Sequence, residues 1–82
     1  MPQATRSIEV RGTDYEAVQE GTDWFIYYPG ERVYIGKVLF RPHRRDGPYL
    51  LHYRKQPLAD NLDSLEDAVD ILDRERLLRQ GN

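Results

Sequence analysis

The chain has 82 residues, a formal net charge of −2, 39% hydrophobic and 11% aromatic residues, and no cysteine. That length supports one small domain around a single core. The missing thiols exclude disulfides, thiolate metal sites and cysteine catalysis, and no apolar run is long enough for a membrane helix. The mean hydropathy of −0.78 is polar, but the aromatic content argues against disorder. The start, MPQATRSIEV, has no basic-then-apolar signal pattern, which together with the lack of cysteine points to a cytoplasmic protein. The expected organisation is one α+β domain over 1–82, with loose ends at 1–5 and 79–82.

Residues 7–11, SIEVR, alternate and predict a short strand, followed by a turn at Gly12, Thr13 and Asp14. Residues 15–20, YEAVQE, fit a strand or a helical turn. The strand is preferred because EGTD then closes a hairpin onto WFIYY at 24–28, an aromatic, β-branched run too short for a helix. Tyr28, Pro29, Gly30 and Glu31 form a strong turn signal: proline presets one central position, and glycine supplies the positive φ a type II turn needs at the next.

Residues 32–41, RVYIGKVLFR, are the longest predicted strand. Val33, Ile35, Lys37, Leu39 and Arg41 share one face, and Tyr34, Gly36, Val38 and Phe40 the other. Gly36 inside it signals a bulge or a close backbone approach. A proline-bracketed loop at 42–48 leads to a strand at 49–55, YLLHYRK, and residues 56–62 read as a connector.

The sequence DSLEDAVDILDRERLL predicts a helix over 63–78. Leu65, Ala68, Val69 and Leu72 make one apolar stripe at helical spacing. Asp63 with Glu66, or Ser64 with Asp67, can form a capping pair at its start. Arg76 and Arg79 continue the stripe in angle but are unsuited to a core, so the helix either outruns the sheet or frays near Arg74. Leu77 and Leu78 point elsewhere, toward a dimer contact or back over a sheet edge. All 9 aromatics lie between Tyr15 and Tyr53, so the aliphatic stripe must press on an aromatic-rich sheet. The predicted fold is an antiparallel meander of four to five strands packed on one face by a single C-terminal helix.

The small net charge conceals a segregation. Residues 1–31 hold 2 basic and 6 acidic groups, residues 32–55 hold 7 and 1, and residues 56–82 hold 3 and 7. The middle block interleaves Lys37, Arg41, Arg44, Arg45, Arg54 and Lys55 with aromatics that include Tyr49 and Tyr53. Such a ribbon can neutralise phosphates and stack on bases, or meet an acidic protein surface. Its plainer alternative is a soluble face over an aromatic core. On the helix back, Asp63, Glu66, Asp67, Asp70 and Asp73 share an arc. They are either a solvated surface or a carboxylate ridge for a basic partner.

Nothing in the chain reads as a catalytic, cofactor or metal motif. Ser7 and Ser64 lack a nucleophile-elbow context, and His43 and His52 lack metal-ligand spacing. In outline, three strands and a helix over 24–78 are similar to integrase arm-binding and AP2-type domains, which present the uncovered sheet face to DNA. The similarity is architectural and carries no residue role, and the pI of about 5.6 points away from it.

The expected function is thus a non-enzymatic binding module acting through residues 32–55 on nucleic acid or an acidic protein. The competing expectation is an adaptor or inhibitor using the acidic helix back or the open sheet face, with a homodimer as a further option. The occupants of the uncovered sheet face should discriminate. Basic and tyrosine-rich favours nucleic acid, apolar favours a dimer, and mixed polar favours a plain scaffold.

Overall fold

The computed structural model describes residues 4–80. Six strands form one antiparallel sheet in the order β1-β2-β3-β4-β5-β6. They are β1 (Thr5–Val10), β2 (Thr13–Glu20), β3 (Asp23–Tyr27), β4 (Tyr34–Phe40), β5 (Tyr49–Tyr53) and β6 (Gln56–Leu62), followed by α1 (Leu65–Gln80). The α+β meander is as predicted, but with one more strand than expected. Residues 56–62, predicted as a connector, pair with β5 as the sheet edge. That strand hides in the sequence because Pro57 and the Ala59–Asn61 stretch break the apolar alternation. Six strands also depart from the three-stranded outline of the integrase-arm and AP2 resemblance.

Two-residue turns set the register of three hairpins. Arg11-Gly12 joins β1 to β2, Gly21-Thr22 joins β2 to β3, and Arg54-Lys55 joins β5 to β6. The predicted turn at 28–31 closes with the Glu31 N–H donating to the Tyr28 carbonyl at 3.0 Å, and Gly30 takes φ 82°. The predicted ends of the chain fall partly in regular structure: Thr5 lies in β1, and Arg79 and Gln80 lie in α1. Residues 1–3, 81 and 82 lie outside the described residues.

The helix begins where Ser64 caps it, its hydroxyl accepting from the Asp67 N–H at 3.1 Å. It does not fray at Arg74. Leu65, Ala68, Val69 and Leu72 are buried against Ile8, Tyr15, Ala17, Ile26, Val38, Leu51, Tyr53 and Leu62. The helix touches both edge strands, β1 and β6, as well as β4 and β5, so the sheet curls around it. Gly36 makes that fit possible: a Cβ there would lie 2.8 Å from a Leu72 methyl. Both sequence expectations for Gly36 are met, because the β3–β4 register also shifts beside its partner Ile26.

That bulge changes the predicted faces of β4. Val38 is buried in the core under α1, while Lys37 and Leu39 lie on the opposite face. Beyond the bulge the alternation inverts. Ile35 packs on the core, and Tyr34 joins Phe25 and Tyr27 with ring centroids 4.8 and 6.5 Å away.

Candidate functional site

The bottom of the helix and the β5–β6 turn enclose a cleft of about 960 Å³. The 28–31 turn and the start of β4 supply Tyr28, Glu31, Val33 and Ile35; β5 and its turn supply Tyr53, Arg54 and Lys55; α1 supplies Arg76 and Arg79. Arg76 lies 4.8 Å from the Tyr28 ring centroid, and Tyr53 carries Arg79 at 4.7 Å and Arg54 at 5.6 Å. Guanidinium planes held on aromatic rings lose little freedom when they bind, although Arg76 spends N–H groups on Tyr15 and Asp73, and Arg79 its Nε–H on Glu75.

Beneath the cleft lies a buried polar cluster. Asp73, only 1% exposed, accepts from the Tyr15 hydroxyl at 2.5 Å and from Arg11 at 2.8 Å. Arg76 donates through Nε to the Tyr15 oxygen at 2.8 Å and reaches Asp73 at 3.4 Å. Burial alone would raise the Asp73 carboxyl, but the hydrogen bonds from Tyr15, Arg11 and Arg76 outweigh it and hold it below the usual carboxylate value. Burial, reinforced by the hydrogen bond to Asp73, pushes the Tyr15 hydroxyl up to about 12. Arg76, set aside as core on sequence grounds, therefore has a largely buried side chain, 15% exposed, because Asp73 and two tyrosine rings replace its lost water.

The turn at Arg54-Lys55 is unusual. Both residues have positive φ, 48° and 71°. A two-residue turn of this kind favours Asn-Gly, since an ordinary side chain in the left-handed region costs roughly 1–2 kcal/mol. The turn places two cations at the cleft rim where neither, among the described residues, has an ion pair. The other two cations are partly matched: Arg76 by Asp73, and Arg79 by Glu75 at 2.9 Å. They also offset the negative end of the helix dipole, which points this way. The positive surplus of the site thus rests with Arg54 and Lys55, set against Glu31, the single lining carboxylate among the described residues.

The predicted basic ribbon is divided. Arg41, Arg44 and Arg45 sit in the 41–48 loop, at the far end of the β4–β5 hairpin from Arg54 and Lys55. Arg44 donates to the Asn61 side chain at 3.4 Å, and Gly47 packs directly on the Asn61 backbone. Lys37 lies on the face away from the helix, 5.1 Å from the Phe25 centroid, whereas Tyr49 and buried Tyr53 are on the helix side. The acidic arc is divided too. Asp73 is buried, Glu66 pairs with Arg6 at 3.2 Å, and Asp70 pairs with Arg11 and Arg74 at 2.9 and 3.2 Å. Asp63 and Asp67 remain on the exposed surface.

His43 is in the exposed loop. His52 lies beside a second hollow of about 240 Å³ shared with Leu50, Pro57 and Asp60. Among the described residues no group of three or more His, Asp or Glu side chains is arranged for a metal ion, and no helix is long and apolar enough to cross a membrane. Sequence reasoning missed the part of the cleft made by Arg76 and Arg79. Their place on the core stripe beside an aromatic-rich sheet was the available signal. No family model, curated protein or solved structure matches the chain.

Proposed function

We propose that the protein is a non-enzymatic binding module whose cleft takes an acidic, partly apolar segment of a partner protein. The observation that carries this reading is the occupied state of the aromatic rings. Tyr28 and Tyr53 are covered by Arg76, Arg79 and Arg54, and Tyr34 meets Phe25 and Tyr27 edge-on. Nucleobase stacking needs open ring faces; carboxylates need cationic N–H donors, which Arg54 and Lys55 offer at the cleft rim beside apolar Val33 and Ile35. A long polyanion would also meet the acidic first turn of α1 and the carboxylates of β1 and β2.

The test is fluorescence anisotropy with two labelled probes: a peptide alternating glutamate with leucine, and a thymidine oligonucleotide. The peptide should bind with an affinity that weakens in salt, and Arg54→Glu/Lys55→Glu should abolish binding. Arg44→Ala/Arg45→Ala should leave it intact. Tighter binding of the oligonucleotide, lost in the Arg44→Ala/Arg45→Ala variant, would return the function to the basic loop and nucleic acid.

A further inference from the structure

We infer that the sheet face turned away from α1 joins two copies of this chain across a twofold axis. The register places Val18, Phe25, Lys37 and His52 in one transverse row, and Glu16, Tyr27 and Tyr34 in the next. Leu39 and Leu50 face each other on the same side, and Leu39 is 9% exposed yet lies outside the core beneath α1. The crest of this face therefore carries a band of half-buried aromatic rings, Phe25, Tyr27 and Tyr34, with charged Glu16 and Lys37 directly beside it.

Charge flanks the band unequally. On the β1–β2 side stand Glu9, Asp14, Glu16 and Glu20, all exposed. Glu9 and Asp14 lie directly opposite one another, a cross-strand pairing that is unfavourable without a cation. On the β4–β5 side Lys37 is the cation at the centre, in register with His52, and Asp60, a carboxylate of that flank, lies further out in the hollow beside β6. Among the described residues none of these carboxylates, nor Lys37, has an ion pair within the chain. A twofold axis near Phe25 and Tyr27 lays the acidic flank of one copy on the Lys37 flank of the other, twice, with aromatic rings between.

This self-complementarity identifies the occupant as a second copy. A partner of uniform charge would meet its own sign over half of the face. The curl of the sheet limits contact to the crest, so the dimer is a weak one. Tyr34 borders both sites, but the dimer uses none of the cleft cations, so charge substitutions at Arg54 and Lys55 separate peptide capture from self-association.

Sedimentation velocity over a concentration series tests it. The wild type should be largely dimeric at about 200 µM, a range suited to a small interface, and should shift toward monomer in high salt. Lys37→Glu and Glu16→Lys should each raise the dissociation constant by about tenfold or more, with circular dichroism unchanged. An equimolar mixture of the two variants should recover the dimer. Across the axis of the mixed pair, the two introduced charges are opposite in sign and meet each other, while the unaltered Lys37 of one copy meets the unaltered Glu16 of the other. A wild type that stays monomeric at that concentration overturns the inference. So does a mixture that sediments no faster than either variant alone. Because the salt response is read on the wild type, the inference remains testable should a variant unfold.

Discussion

The Tyr15 hydroxyl donates to buried Asp73 across 58 positions of sequence, at 2.5 Å, and so ties the second strand to the second half of the helix. The same carboxylate receives Arg11 from the β1–β2 turn and Arg76 from its own helix. Removing the shared carboxylate leaves Tyr15 and Arg76 buried without it, while Arg11 is partly solvated; breaking a buried pair typically costs about 3–5 kcal/mol. Asp73→Ala should therefore lower stability by that order, measured as a fall in the urea midpoint. Asp67→Ala, on the exposed surface, should cost no more than the loss of a side chain beside the cap.

The cluster also fixes the pH limits of stability. Asp73 titrates lower folded than unfolded. Its contribution is complete above the unfolded carboxylate value and is lost progressively as pH falls from there through the lower folded one. Tyr15 is raised from 10.0 to about 12. Its folded form holds the proton more tightly, so stability is complete below pH 10 and declines between 10 and about 12, by roughly 2–3 kcal/mol. Urea titrations from about pH 8 to 12 should show this alkaline decline in the wild type and a flatter profile in Tyr15→Phe.

Gly36 should tolerate no side chain. A Cβ would meet Leu72 methyls at 2.8 and 3.0 Å and the His52 carbonyl at 3.3 Å. Gly36→Ala should destabilise by about 1–3 kcal/mol through overpacking. At Gly30 nothing lies within 4 Å, so Gly30→Ala should carry only the strain of its positive φ. Thermal melts of the two variants compare a clash in the core with strain at a surface turn.

The helix, its apolar stripe and its serine cap were legible in the sequence because each rests on local spacing. The hairpins were legible for the same reason, wherever glycine marked a turn. What could not be read was anything decided by register. Asp73 belongs to the acidic arc by angle, yet it is buried because the curled sheet brings Arg11 and Tyr15 to it. Lys37 and Arg54 belong to the same basic block of the sequence, yet the first lies on the outer face and the second at a cleft rim. The β6 edge was missed because its pairing with β5 shifts twice, which erases the period-two pattern.

The proposed binding role of the Arg54-Lys55 turn sets recognition against stability. Replacing it by Asn-Gly should stabilise the fold by about 1 kcal/mol or more, since that pair suits two positive φ values. The same replacement removes the cations that carry the charge surplus of the cleft, so it should weaken peptide capture. A variant that gains stability and keeps full affinity would show that the strained turn has no part in recognition.

The most direct measurement is an NMR titration that follows the arginine Nε–H signals while the acidic, leucine-containing peptide is added. Recognition through the cleft predicts that Arg54, Arg76 and Arg79 shift together and saturate at one equivalent, with Arg41, Arg44 and Arg45 unmoved. Shifts confined to the 41–48 loop, or none at Arg76 and Arg79 at saturating peptide, would contradict it.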